Sequence, residues 1–404
     1  MDFRLNEEQR QVRDMVREFA QREVAPHIQE WDQKNEYHPE VLHKMGEEGI
    51  LGIPIPERYG GGGFDYVSFA LACEELEAVD TFLRVVLSVH VGLNSLTLHQ
   101  WATEEQKEKW LKPQAEGTKL STFGLTEPGA GSDAGNIQTR AVRDGDHYIL
   151  NGEKAWISLA NTADHMLIFA TLDPEQKHRG LAAFVVERGM EGLTTGSFHG
   201  KLGVRAGDTG WIAFNNVRVP KENMIGEEGE GFKIAMSAID QGRFTVAAGA
   251  VGLIRASLDA SKQYCHEREA FGQEIGQFQL VKQMLAKMVA GLESSRLLVM
   301  QAAELKNTGE RNTRETSLAK WIACDHAFNA ANDAIQIHGA YGYSSEYPVE
   351  RYMRNSRGAV IYEGTREIHQ LLQGDYALGY RADRPLRCPQ PPAQAWEKET
   401  ASAD

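Results

Sequence analysis

One short stretch places an acid where proton chemistry would need it: Val360-Ile-Tyr-Glu-Gly-Thr365. Glu363 lies between the ring of Tyr362 and Gly364, behind two aliphatic residues. Partial desolvation raises a carboxyl pKa towards the range in which it takes a proton near neutrality, which makes Glu363 a candidate base. The same acid solvated at the mouth of the Gly364 turn would be an ordinary surface carboxylate, and the local residues leave both readings open. A second stretch, Phe123 to Ala134, contains Gly129-x-Gly131-x-x-Ala134, a loosened dinucleotide pattern. That pattern needs a helix after it, whereas residues 136–158 alternate and turn as hairpins, so the nicotinamide reading is set aside. What remains is a tight loop whose backbone amides, with the Thr126 and Ser132 hydroxyls, can donate to an anionic or carbonyl-rich ligand. An ordinary loop between strands is the alternative. The four glycines Gly60 to Gly63 lack a following lysine and P-loop spacing, and read as a plain turn.

The elements that must position these residues fall into three blocks. Residues 1–120 read as an N-terminal helical domain. Asn6 and Thr103, each followed by acids and a glutamine, are expected N-caps. Val12, Met15, Val16, Phe19 and Ala20 recur at helical spacing, and helical patterns return over Tyr66 to His99 and Thr103 to Ala115. From 121 to 231 the pattern changes to a middle antiparallel, barrel-like β domain. Asp144-Gly145 and Asn151-Gly152 are hairpin-type dipeptides around His147 to Leu150, with further strands over Met166 to Thr171, Leu181 to Val186 and Trp211 to Phe214. Residues 232–380 read as a C-terminal four-helix bundle with long segments, one starting near Phe278 and one over Thr316 to His338. Residues 381–404 form a tail rich in proline, alanine and charge, expected as a surface arm or disordered. The fold class is α+β and multidomain.

A chain of 404 residues is too long for one ordinary core. Its net charge of −14 argues against nucleic acid as a main partner, because phosphate binding needs concentrated Lys and Arg. The four cysteines form no CxxC pair and the thirteen histidines no HxxxH pair, which predicts reduced thiols and no metal. The first residues resemble neither a signal nor a transit peptide, and no uninterrupted apolar run approaches transmembrane length. The expected setting is cytoplasmic, away from membranes.

Three separated motifs agree in order and spacing: Gly124-Leu-Thr-Glu-Pro-Gly-Ala-Gly-Ser-Asp133, Lys154-Ala-Trp-Ile-Ser158, and Gln336-Ile-His-Gly-Ala-Tyr-Gly-Tyr343 continuing through Glu346-Tyr-Pro-Val-Glu350 to Ile361-Tyr-Glu-Gly-Thr-Arg-Glu-Ile368. Together they resemble the acyl-CoA dehydrogenase family over about residues 2–380. The resemblance implies FAD as cofactor and α,β-dehydrogenation of an acyl-CoA thioester. Glu363 then takes the α-proton while flavin N5 accepts the β-hydride. It places Phe123, Leu125, Thr126, Gly131, Ser132, Trp156 and Ser158 beside the flavin, with Ser158 standing where many relatives have threonine. Arg268, Phe271 and Gln279 fall at adenine and pyrophosphate contacts. Gln336 and Gly339 lie on a loop reaching FAD across a subunit interface, where Ala340 replaces a common second glycine, and Thr365 and Glu367 follow the base beside the cofactor. Ser132, Asp240, Arg243, Tyr362 and Gly364 fall on the substrate side. A homotetramer, a dimer of dimers, is implied, with electron-transferring flavoprotein as acceptor.

Within the family, the isovaleryl- and long-chain-type relatives carry the base on another helix, so Glu363 groups this chain with the short-chain, medium-chain and glutaryl-type enzymes. Arg84 falls where glutaryl-CoA dehydrogenases bind a distal carboxylate, and a buried guanidinium calls for an anion. That favours a dicarboxylic monothioester such as glutaryl-CoA or benzylsuccinyl-CoA. An Asp80–Arg84 surface pair at i,i+4 is the competing reading of Arg84, and a short- or medium-chain monocarboxylic substrate is the alternative within the family. An acyl-CoA oxidase and a non-enzymatic flavoprotein scaffold are the alternatives outside it.

Overall fold

The computed structural model describes residues 4–403, with side chains to residue 398. The first helix, Glu7–Glu23, starts at a capping box in which Asn6 accepts from the Gln9 amide at 2.8 Å and Gln9 returns a bond to the Asn6 amide at 3.0 Å. It lays Val12, Val16, Phe19 and Ala20 against the helix Tyr66–Val79. Thr103 and Gln106 form the second expected capping box.

The helix Tyr66–Val79 is buried almost all round, including three acids. Glu74 pairs with Arg255 and Arg296, and Glu75 with Arg17 and Arg255. These pairs tie the first helical block to the last. At Asp80 the chain becomes extended, and the Asp80 carboxylate caps the next helix through the Phe82 amide at 2.9 Å. That helix runs Thr81–Trp101, with Leu87–Ser95 wound as wider π turns. By length and mean hydropathy alone it could pass for a membrane span, although Arg84, His90 and Asn94 keep it from being an uninterrupted apolar run. Yet 94 % of its most apolar window is buried inside the protein, as for a core helix.

The middle block is one eight-stranded sheet. In chain order the strands are β1 Ser121–Gly124, β2 Arg140–Asp144, β3 His147–Ser158, β4 His165–Thr171, β5 Leu181–Glu187, β6 Leu193–Ser197, β7 Thr209–Pro220 and β8 Met224–Ile225. Their order is β6-β7-β3-β2-β4-β5-β8, with β1 parallel to β4. Asp144-Gly145 makes the expected β2–β3 turn. Asn151-Gly152 does not turn the chain. It is a bulge within β3, where Asn151 exchanges two side-chain bonds with Asn216 of β7. Gly152 is needed there because a Cβ would sit 2.7 Å from the Thr139 backbone. A second bulge falls between Ala155 and Ile157 and gives Trp156 a φ of 61°.

Three long helices follow, Gly231–Glu267, Gln279–Asn307 and Thr313–His338, then Val349–Ala359 and Arg366–Ala377. The first of these packs on both of its long neighbours and on Tyr66–Val79, so it is the common spine of the helical parts. The glycine turn at 60–63 uses its amides on its own chain: Gly62 donates to Gly52 and Gly63 to Ile55, both at 2.9 Å. The tail is an ordered surface arm that ends in a helix, Gln394–Ala403.

Candidate active site

The loop between Val349–Ala359 and Arg366–Ala377 carries Glu363 in the left-handed region, with φ 56°, followed by Gly364 at φ 95°. A non-glycine residue there is strained and persists only where its surroundings hold it. The hold comes from the backbone: Arg243 Nε donates to the Glu363 carbonyl at 3.3 Å and Lys320 Nζ to the Gly364 carbonyl at 2.8 Å. His369 supports the loop from below and bonds Ser317 Oγ at 2.9 Å. Among the described residues neither the Glu363 carboxyl nor its backbone N–H has a hydrogen-bond partner. The cations thus grip the main chain and leave the acid unpaired. Burial pushes its pKa up to about 7, and Arg243, Lys320 and Arg84 only partly oppose the rise. Its carboxyl faces the spine helix at Gly242, where a Cβ would lie 2.6 Å from Oε2.

Asp240 and Arg243 do form an i,i+3 pair, at 3.1 Å, but it is mostly buried and set against the base loop. Thr313 Oγ1 donates to the second Asp240 oxygen at 2.6 Å. Gly242, between them in sequence, and Lys320 were not singled out from the sequence. Its position between Asp240 and Arg243 was the available signal for Gly242; nothing local marks Lys320.

Arg84 is 1 % exposed, and the Asp80–Arg84 surface pair does not form. Asp80 pairs with Arg351 instead, at 3.0 Å. Arg84 Nε donates to Glu77 at 2.5 Å, Nη1 to Ser88 Oγ at 3.1 Å and Nη2 to the Tyr362 hydroxyl at 2.5 Å. Burial works against the Arg84 charge, and Glu77 outweighs it, so the guanidinium stays above its ordinary pKa. Three of its five N–H donors are engaged, which leaves one on each terminal nitrogen. The sequence named Arg84 and Tyr362 but missed Glu77, whose only signal was its seven-residue spacing from Arg84.

The glycine loop is pinned by a buried pair absent from the sequence reading. Lys154 Nζ meets Glu127 at 2.7 Å and the Leu125 carbonyl at 3.1 Å, and Glu127 also accepts from the Gln138 and Thr139 amides. The Ala155 amide donates to the Thr126 carbonyl at 2.9 Å, so Phe123, Leu125 and Thr126 are fixed beside β3. Gly131 and Ser132 stay exposed at the loop tip, and a Cβ at Gly131 would meet open space. Two residues along β3, Ser158 is half-buried and Trp156 is 63 % exposed, turned out by the bulge.

Arg268, Phe271 and Gln279 cluster where the Gly231–Glu267 helix gives way to Gln279–Asn307, all exposed, Phe271 at 96 %. Gln336 and Gly339 lie exposed at the end of Thr313–His338. Thr365 caps Arg366–Ala377 by accepting from the Ile368 amide, and Glu367 is exposed in its first turn. An exposed indole packed on Phe198 and two positions from Ser158, with a second exposed ring three residues from an arginine, suits a cofactor having a flat aromatic system at one end and a phosphate-linked base at the other. The residues present therefore fit FAD.

Family models place the acyl-CoA dehydrogenase N-terminal domain at residues 6–118, the middle domain at 122–217 and the C-terminal domain at 229–375. The chain is 43% identical over 372 residues to the short-chain specific acyl-CoA dehydrogenase of Clostridium acetobutylicum, covering 92% of this chain and 98% of that protein. It is 40% identical over 368 residues to the caffeyl-CoA reductase-Etf complex subunit CarC of Acetobacterium woodii, covering 91% and 97%. A glutaryl-coenzyme A dehydrogenase solved with glutaryl-CoA superposes with a TM-score of 0.92 at 38% identity, covering 94% of this chain and 98% of that one. With all three domains matched and a strained, desolvated acid at the meeting of its helices, the chain belongs to the acyl-CoA dehydrogenase family of FAD-dependent oxidoreductases.

Proposed function

We propose that Glu363 removes the α-proton of a short acyl-CoA thioester bearing a distal carboxylate, and that Arg84 receives that carboxylate. The observation that carries this reading is the placement of Arg84. It is buried, bonded to the residue next to the base, and has donors left on both terminal nitrogens. In the reaction the α C–H and β C–H bonds break and a C=C bond forms, with the α-proton moving to the Glu363 carboxylate. FAD, when bound, supplies the acceptor for the β-hydride. The unpartnered Glu363 amide is placed to donate to the thioester oxygen as negative charge gathers there. Arg243 and Lys320 hold that amide by its neighbouring carbonyls, and Tyr362 and Gly364 set the approach. A monocarboxylic short-chain substrate is the second reading. It is favoured by Glu77, which already balances the Arg84 charge, and by the short-chain relative.

In this reading Phe123, Leu125, Thr126, Gly131, Ser132, Trp156 and Ser158 hold the ring end of FAD, with Thr365 and Glu367 beyond the base. Arg268, Phe271 and Gln279 hold the adenine and pyrophosphate, and Gln336 and Gly339 reach a neighbouring subunit's cofactor in a homotetramer. The likeness to a subunit of a reductase-Etf complex supports electron-transferring flavoprotein as acceptor. Four free cysteines suit a cytoplasmic setting. Anaerobic flavin bleaching against acyl-CoA thioesters with and without a terminal carboxylate tests the substrate; bleaching by none of them would overturn the reading.

Two expectations follow from the base. The carboxyl must be ionised to accept a proton and its pKa is pushed up to about 7, so kcat should rise with pH through that value and level off above it. A stopped-flow profile of flavin reduction checks this, and a flat profile from pH 5.5 to 8.5 would contradict it (roughly three decades of proton activity). Gly242→Ala puts a methyl group against Glu363 Oε2 and the tip of the Leu93 side chain, and should displace both without unfolding the spine helix. A loss of about 100-fold in kcat with unchanged flavin content is expected, the scale for an ångström of misplacement.

A further inference from the structure

The C-terminal family domain ends at residue 375, so the arm from 381 onward lies outside it. This arm is tied down along its length. Arg311 donates to the Arg384 carbonyl at 2.7 Å, Arg387 pairs with Glu230 at 2.6 Å, and Gln100 donates to the Cys388 carbonyl at 2.9 Å. Further on, the Ala393 amide donates to Asn307 at 3.0 Å, Gln394 accepts from the Glu57 amide at 2.8 Å, and Ala393 is buried. These contacts hold it against four separate parts of the chain.

That wall closes one side of a cavity of about 170 Å³. Leu386, Pro389 and Gln390 of the arm face Ser237, Asp240 and Arg311 across it. Asp240 is bonded to Arg243, which is bonded to the Glu363 carbonyl, so two side chains separate the cavity from the base. A carboxylate, a guanidinium and an amide interleaved with proline and leucine suit a flexible chain that alternates amides with alkyl groups and ends in phosphate. The arm of coenzyme A has that chemistry.

We propose that the C-terminal arm completes the subsite for the amide-bearing arm of the CoA thioester, adding a wall that lies outside the family domain. The proposal rests on the acyl-CoA reading given above. The test compares the full-length protein, a chain ending at residue 380 and full-length Gln390→Ala/Leu386→Ala, each loaded with FAD. Steady-state kinetics use butyryl-CoA and the butyryl thioester of N-acetylcysteamine, which lacks most of that arm. For both variants KM for butyryl-CoA should rise about tenfold or more with kcat nearly unchanged, while KM for the short thioester stays put. An unchanged butyryl-CoA KM, or an equal change for both thioesters, overturns the proposal. If the shortened chain does not fold, the full-length double variant decides on the same criteria. If neither thioester reduces the flavin of the full-length protein, the acyl-CoA reading itself has failed, which is a separate result.

Discussion

Glu363→Gln is expected to abolish measurable turnover, lowering kcat by on the order of 10³-fold or more, while the protein keeps its flavin and its fold. Gln has nearly the same shape but cannot take a proton. No hydrogen bond to the carboxyl is lost, because the structure makes none among the described residues. Stability offers an independent readout. A carboxyl whose folded pKa is raised to about 7 from an ordinary value of 4.5 binds its proton more tightly when folded. Ionisation therefore weakens the fold as pH rises from the lower value through the higher one, by roughly 3 kcal/mol above both. Glu363→Gln removes that penalty. Its Tm should exceed that of the parent at pH 8, and the difference should vanish near pH 4.5 in paired thermal melts. Retention of turnover by this variant would refute the assignment of the base.

Arg84→Gln should lower kcat/KM for a dicarboxylyl-CoA such as glutaryl-CoA by about 100-fold or more, and for butyryl-CoA far less. A buried charge-assisted contact to substrate is removed in the first case only. The single substitution also leaves Glu77 buried without its partner, which by itself costs about 3–5 kcal/mol. The double variant Glu77→Gln/Arg84→Gln separates the two effects, since it removes both charges and keeps the volumes. If the double variant discriminates between the two thioesters as the parent does, Arg84 does not read a distal carboxylate, and the monocarboxylic reading stands.

Local chemistry was legible where a few neighbouring residues determine the outcome. The Asn6–Gln9 and Thr103–Gln106 caps and the Asp144-Gly145 turn follow from side chains within three or four positions. Asn151-Gly152 shows the limit of that reasoning. The same kind of dipeptide becomes a bulge because β3 continues along β7, which is decided 65 residues later at Asn216. Polar residues Arg84, His90, Asn94 and Ser95 keep the Thr81–Trp101 helix from being one apolar run, yet each of these finds a buried partner. The burial of Glu74 and Glu75 was not legible, since their arginine partners lie 181 and 222 residues away in one case and 180 and 58 in the other. Glu363 and Trp156 could be singled out as candidates because each sits within its own motif. Glu77, Lys320 and the Lys154–Glu127 pair were not, because their significance comes from what the fold brings to them.

The bond from Arg84 to the Tyr362 hydroxyl joins the Thr81–Trp101 helix to the residue immediately before Glu363. A lineage adapting this enzyme to a new acid cannot alter that arginine without loosening the support of the proton acceptor as well. If Arg84 reads the acyl chain as proposed, selectivity and turnover are inherited as one trait, and a change of diet would have to pass through a slower enzyme or alter both residues together.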